Sequence, residues 1–153
     1  MSENYPTIIE QAIVKMGLNP EETKGEEQGQ WQLFRGAICI FIDVWKPSLN
    51  SDWNYTGTEH AVNTFQVIAP ITELADESKL FQFYEELLHM NFHLYKASLI
   101  VNRRDNVLAI KYKSLVAGLT ESEVIEAVES VGYYAEMLTE YFSKNYGVKK
   151  LSE

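Results

Sequence analysis

The side chains that could carry out chemistry begin with two histidines. His89 and His93 are four residues apart, the spacing at which two side chains share one face of an α-helix and bind one metal ion. Asn91 lies between them, and asparagine tolerates the left-handed conformation in which many helices end. A helix that ends at Asn91 spoils the shared face, so the sequence predicts no metal site here.

The other reactive side chains form no recognisable site. Glu59 and His60 would need Asp43 beside them to act as an acid–base set, and nothing in their spacing brings them together. The single cysteine, Cys39, lies in an apolar stretch without a basic neighbour that would activate it, so we predict a buried structural thiol. We therefore expect no catalytic residue, no cofactor and no enzymatic activity.

Composition narrows the class of partner. The 153 residues carry a formal net charge of −9, and the few basic residues form no cluster of the kind that binds phosphates, which argues against nucleic acid and anionic membranes. One cysteine allows no internal disulfide, the start Met-Ser-Glu-Asn does not resemble a signal peptide, and no apolar run approaches the roughly 18 residues of a membrane span. We expect a single domain over residues 1–153, in the cytoplasm.

The first half of the chain predicts one helix and three strands. In order, we predict a helix in residues 1–18, an acidic connector in residues 19–30, a hairpin in residues 31–45, a polar loop in residues 46–60 and a strand in residues 62–71. Gly17 is expected to end the helix in a left-handed conformation. Arg35-Gly36 indicates a tight turn, with a bulge in one bent strand as the alternative. Pro70 lacks an N–H and is expected at a strand end or edge.

The second half predicts a helix, a hairpin and a long helix. The helix starts at Asp76 and ends near Asn91, the hairpin covers residues 95–102 and 107–116, and the last helix covers residues 120–146. The first of these helices has an apolar stripe at Leu80, Phe81, Tyr84, Leu87, Leu88 and Asn91. The last helix begins with a capping box of Thr120 and Glu123, and Leu119 and Val124 form a hydrophobic staple.

These elements favour an α+β fold, an antiparallel sheet with helices on one face in the order α-β-β-β-α-β-β-α. The strands have two apolar faces. The richer one is predicted to lie under the helices: Ile38, Ile40, Ile42, Phe65, Val67, Leu99, Val101, Leu108 and Ile110. The opposite face presents Phe41, Trp45, Ile68, Ile100 and Ala109 among Gln66, Ser98, Lys111 and Lys113.

The second apolar face needs a cover. Covering a few hundred Å² of apolar surface contributes several kcal/mol at about 25 cal/mol per Å². Either the 46–60 loop or the connector folds over it, or another chain does, including a second copy. We name as candidate protein-binding residues Phe41, Trp45, Ile68, Ile100, Ala109 and Lys111.

Five stretches give the chain a resemblance to a known family. They are Phe65-Gln66-Val67-Ile68-Ala69-Pro70-Ile71, Leu87-Leu88-His89-Met90-Asn91, Ala97-Ser98-Leu99-Ile100-Val101, Asp105-Asn106-Val107-Leu108-Ala109-Ile110 and Gly118-Leu119-Thr120-Glu121-Ser122-Glu123-Val124. In this order they resemble the YbjN-like proteins, which share a fold with the small acidic dimeric chaperones of bacterial type III secretion. The resemblance covers residues 31–142 and carries no active-site motif. It implies the same order of elements, frequent dimers and no cofactor.

Three functions follow as hypotheses. The first is a non-enzymatic protein-binding module, chaperone-like or regulatory, that acts as a homodimer and pairs a protein client with a strand edge and apolar pockets. The second is a small-molecule-binding or enzymatic domain with a pocket under the 46–60 loop, formed by Trp45, Trp53, Tyr55 and His60. The third is a monomer whose long loop seals the sheet.

Overall fold

The structure, a computed structural model, describes residues 4–45 and 63–152. Four α-helices and five strands are present in this part of the chain. In order, they are α1 (Tyr5–Lys15), α2 (Pro20–Thr23), β1 (Gln30–Arg35), β2 (Ile38–Trp45), β3 (Thr64–Glu73), α3 (Leu80–Asn91), β4 (Ser98–Asn102), β5 (Val107–Leu115) and α4 (Glu121–Tyr146). The predicted 46–60 loop lies outside the described residues.

The five strands form one antiparallel sheet in the order β1-β2-β3-β5-β4. Helix α4 lies along β2, β3 and β5, while α1 packs on α4 and α3 packs on β4. The predicted α+β fold, with an antiparallel sheet and helices on one face, is confirmed. The short helix α2 was not predicted from the sequence. The Asn19 side chain caps it by accepting a hydrogen bond from the Glu21 N–H at 3.1 Å. The predicted acidic connector, residues 19–30, contains this one helical turn.

The richer apolar face is the core. Eight of the nine side chains predicted there are buried in one cluster with the inward faces of the helices, and the ninth, Val101, is partly buried and packs against it. Phe83 of α3 meets Phe142 and Tyr146 of α4 edge to face, with ring centroids 5.4 and 5.1 Å apart. This aromatic contact joins α3 to α4.

Pro70 does not lie at a strand end or edge, as predicted, but inside the central strand β3. Its Cα partner is Ala109 of β5, and the register shifts between Pro70 and Thr72. The pairing of β3 with β2 covers residues 64–68 only. A proline is tolerated there because a bulge and the end of the β2 ladder remove the need for its N–H.

Two helix termini differ in detail from the prediction. The Thr120 hydroxyl caps α4 by accepting from the Glu123 N–H at 3.1 Å, as predicted, but the Glu123 carboxylate accepts from the Tyr112 hydroxyl at 2.8 Å instead of closing the capping box. Asn91 ends α3 without a left-handed conformation. Its side chain bonds both main-chain groups of Leu99, accepting from the N–H at 2.6 Å and donating to the C=O at 3.1 Å.

Candidate protein-binding surfaces

The structure brings the six predicted binding residues onto one face of the sheet, turned away from α4. Phe41, Ile68 and Lys111 are cross-strand neighbours in one row across β2, β3 and β5. Ala109 and Ile100 form a second row on β5 and β4, and Trp45 lies at the end of β2 opposite Thr64. We call the surface formed by these six residues the outer sheet face.

Burial on the outer sheet face is intermediate. Phe41, Trp45, Ile68 and Ile100 are half-buried, and Ala109, at 2% exposure, is buried without belonging to the core cluster. None of the six residues is among the large apolar side chains that the described part of the chain leaves exposed. The binding role of these residues stays a prediction.

Half-buried charges lie among these apolar groups. The Asp43 carboxylate accepts a hydrogen bond of 3.4 Å from the Gln66 amide, and burial raises the pKa of Asp43 above its ordinary value. Burial also lowers the pKa of the Lys111 ammonium, with Lys113 acting in the same direction. The Lys113 ammonium lies 5.3 Å from the Trp45 ring centroid.

Beside β1, the outer sheet face opens into a cleft of about 630 Å³. Its lining comes from three strands and the segment before β1: Lys24, Gly25, Glu26, Gln30, Trp31, Gln32, Phe41, Asp43, Gln66 and Ile68. A second cleft of about 300 Å³ shares five of these residues and adds Glu10 and Glu27.

A second apolar surface lies on α3 and was not predicted. Phe81 and Leu88 of α3 and Phe92, the residue directly after it, are exposed by 82%, 73% and 86%. At their seven- and four-residue spacings they follow one line along the helix axis. We call these three residues the α3 stripe. In the apolar stripe predicted for this helix, Leu87 is buried but Phe81 and Leu88 are exposed. Phe83, which is outside that stripe, is the other buried residue of α3.

Beside the α3 stripe, polar bonds fix α3 to the end of α4. The Glu86 carboxylate accepts hydrogen bonds from the hydroxyls of Tyr141 and Tyr146. Burial and the bond to Glu86 raise the pKa of Tyr146 to about 12. These residues, with His89, line an open cleft of about 590 Å³.

The two edges of the sheet differ. At β4, Asn91 occupies the main-chain groups of Leu99 that a further strand would use. At β1, the Gly25 N–H bonds the Gln30 C=O at 2.8 Å, and Lys24 forms an isolated antiparallel bridge with Trp31. The segment before β1 therefore covers the first half of that edge, whereas the β4 edge is closed at Leu99 by a side chain.

The reactive side chains considered above are dispersed. His89 and His93 contact each other edge to face, with centroids 5.3 Å apart, and no group of three or more metal-binding side chains occurs in residues 4–45 and 63–152. Cys39 is half-buried rather than buried as predicted, and its sulfur accepts from the Gln32 amide at 3.0 Å. Glu59, His60, Trp53 and Tyr55 lie outside the described residues, and with them the predicted pocket.

Comparison with known proteins bears on the fold. No family model matches the chain, and no curated protein sequence matches it. Solved structures do match. The HopA1–SchA chaperone–effector complex has a TM-score of 0.59 and 7% sequence identity, and the match covers 89% of this chain and 93% of the other. The ExoT–SpcS complex from Pseudomonas aeruginosa has a TM-score of 0.56 and 15% identity over 90% of this chain and 98% of the other, and the ExsC–ExsE complex has a TM-score of 0.53 and 12% identity over 95% and 96%.

At these identities the likeness is one of fold. The chain has the fold of the type III secretion chaperones, as its sequence resemblance implied. The YbjN-like family stays a resemblance of the sequence alone. In the described part of the chain, no helix combines the length and the apolar character that a membrane crossing requires.

Proposed function

We propose that this chain is a non-enzymatic protein-binding module of the cytoplasm, chaperone-like or regulatory, that acts as a homodimer and holds a segment of a client protein. One observation carries the proposal: the fold matches three complexes over at least 89% of the chain, one of them described as a chaperone–effector complex. The absence of a metal cluster from the described residues is compatible with this role but does not carry it.

The α3 stripe supports the homodimer. Three large apolar side chains in a line on an exposed helix are the pattern that buries itself against another helix. Phe83 and the bonds from Tyr141 and Tyr146 to Glu86 fix α3 to α4, so the stripe is presented on a rigid support. Two copies of the stripe would cover each other in a symmetric dimer.

The outer sheet face supports a separate site for the client. It combines half-buried aromatic and aliphatic side chains with a solvent-open cleft, and an extended segment can place alternate side chains on such a surface. Because the α3 stripe and the outer sheet face lie on opposite layers, a dimer through α3 leaves the sheet free for a client.

Light scattering coupled to size exclusion tests the dimer. We expect twice the chain mass of 17.6 kDa. The double variant Leu88→Ser/Phe92→Ser should shift the protein to a monomer with an unchanged circular dichroism spectrum, because both side chains are exposed within one chain. The matched control is Phe34→Ser, since Phe34 is a large apolar side chain, 64% exposed, on β1.

If the unaltered chain is a monomer, the homodimer proposal is wrong. If the double variant is still a dimer, the subunit interface does not lie on α3.

The client is tested separately, by cross-linking in the producing cell. A photoreactive residue is placed at Phe41 and, as control, at Glu129 on the exposed face of α4. A protein cross-linked from Phe41 alone supports the client site. Equal labelling from both positions contradicts it.

A further inference from the structure

The central strand β3 is paired over unequal lengths on its two sides. Its pairing with β5 extends from Thr64 to Glu73, whereas its pairing with β2 ends at Ile68. Pro70, which has no N–H to donate, follows this end. In the described part of the chain, no strand of the sheet therefore pairs with the last residues of β3 on the β2 side.

The chain fills this position with residues 148–151, which follow α4. The Leu151 N–H donates to the Ile71 C=O at 3.0 Å. The Glu73 N–H donates to the Lys149 C=O at 2.9 Å, and the two bonds enclose a single antiparallel bridge. We call residues 148–151 the closing segment.

Two side chains of the closing segment face the helix layer. Val148 is 7% exposed and belongs to the core cluster. Two residues later, the Lys150 ammonium lies 2.6 Å from the Glu140 carboxylate of α4. Alternate residues of an extended segment share one face. The position beside β3 therefore accepts a small apolar side chain and, two residues on, a cation.

The closing segment is held less firmly than the strands of the sheet. It forms one bridge with β3, whereas β2 pairs with β3 over residues 64–68. The Glu140 side chain is 73% exposed, so water screens its ion pair with Lys150. An element with few bonds and little buried surface opens locally while the rest of the fold stays intact.

We propose that the position beside residues 71–73 is a site for strand addition, which the closing segment occupies until a client takes its place. The client supplies an extended segment that forms the same two main-chain bonds. It places a small apolar side chain where Val148 lies and an arginine or lysine where Lys150 lies. The closing segment lowers the apparent affinity for the client, because only the fraction of molecules that has released it can bind.

This inference rests on the proposed function, since it gives the client a binding position in addition to the outer sheet face. The probe is a labelled, capped peptide with the sequence of residues 147–153, Gly-Val-Lys-Lys-Leu-Ser-Glu. Its binding to the full chain is measured by fluorescence anisotropy. The variant Leu151→Pro removes the N–H that bonds Ile71. The matched control Ser152→Pro introduces the same residue one position later and leaves both bonds to β3 in place.

The Leu151→Pro chain should bind the peptide about fivefold more tightly than the unaltered chain, the factor that corresponds to one lost hydrogen bond. The Ser152→Pro chain should match the unaltered chain within about twofold. A peptide with serine in the place of Val148 should bind the Leu151→Pro chain about tenfold more weakly, because it leaves the apolar position unfilled. A peptide with glutamate in the place of Lys150 should bind about threefold more weakly.

Hydrogen exchange at the Glu73 amide locates the bound peptide. Exchange should be faster in the Leu151→Pro chain than in the unaltered chain, and the peptide should slow it again, because the Glu73 N–H regains an acceptor. The inference is wrong if the Leu151→Pro chain does not bind the peptide, if all three chains bind it equally, if the altered peptides bind as well, or if the peptide leaves Glu73 exchange unchanged. Light scattering and cross-linking from Phe41 test the proposed function independently of these results.

Discussion

On α3, three large apolar side chains stand in solvent, whereas the apolar side chains of the outer sheet face are half-buried. Both surfaces have the same residue types, since Phe81 and Phe41 are phenylalanines on regular elements. The difference lies in their neighbours. Phe41 has cross-strand partners in Gln32 and Ile68, while Phe81 projects from an isolated helix surface.

This difference separates two ways in which a protein presents apolar surface. An exposed stripe contributes almost nothing to the stability of one chain and is available in full to a partner. The half-buried side chains of the outer sheet face contribute to the stability of the fold, and the part of each that remains exposed is available to a partner. We therefore expect mutations on the two surfaces to separate association from folding.

The largest expected effect contrasts the two faces of α3. Phe83→Ala should lower the free energy of unfolding by about 3–5 kcal/mol, because it leaves a cavity against Phe142 and Tyr146. Phe81→Ala on the same helix should change it by less than about 0.5 kcal/mol in a monomeric background. Urea denaturation of both variants in the Leu88→Ser/Phe92→Ser protein measures this. Similar losses for both would refute the exposed position of Phe81.

Next is the polar contact between α3 and β4. Asn91→Ala should cost about 1–3 kcal/mol, because it removes both hydrogen-bond partners of the Leu99 main chain. Asn145→Ala, on the exposed surface of α4, is the control for loss of an asparagine side chain. Hydrogen exchange at the Leu99 amide should accelerate in the first variant only, and an unchanged rate would contradict the assigned bond.

A smaller effect separates the outer sheet face from the α3 stripe. Phe41→Ala should cost about 1–2 kcal/mol, since roughly half of the side chain leaves water on folding, and it should leave the dimer intact. Thermal unfolding and light scattering on the same sample check both statements. Dissociation of the dimer in this variant would place the subunit interface on the sheet instead.

The smallest effect concerns the bonds that hold α3 in place and appears only at high pH. The folded-state pKa of Tyr146, about 12, lies above the ordinary tyrosine value, so its contribution is complete below about pH 10 and is lost between about pH 10 and 12. Tyr146→Phe should remove this loss from the pH dependence of unfolding. In a titration followed by absorbance at 295 nm, the variant should have one tyrosine hydroxyl fewer that ionises above about pH 10. A titration curve equal to that of the unaltered protein would contradict the bond to Glu86.

The sequence predicted the elements well because its signals are local. Thr120 capped α4 as expected, Gly17 and Gly147 have the left-handed φ that ends a helix, and Gly36 forms the turn between β1 and β2. Alternation along the strands likewise assigned each side chain to its face, so the six candidate residues lie together as predicted. These signals need only neighbours within a few positions.

The failures involve contacts between distant residues. Helix α3 has apolar residues around most of its circumference, so periodicity could not decide whether Phe81 or Phe83 is buried; the rings of Phe142 and Tyr146 decide it. In the same way, Tyr112 draws Glu123 away from the capping box. One signal in the sequence could have indicated the exposed stripe: α3 has more apolar residues than a single buried face can hold.

The closed β4 edge has a consequence for how copies of this molecule can associate. The Asn91 carboxamide is chemically a single peptide group, and it takes the place that a neighbouring chain would occupy beside Leu99. A further strand would have to displace this carboxamide from Leu99 before it could pair along the whole of β4. One side chain therefore disfavours edge-to-edge association of two copies of the sheet through β4.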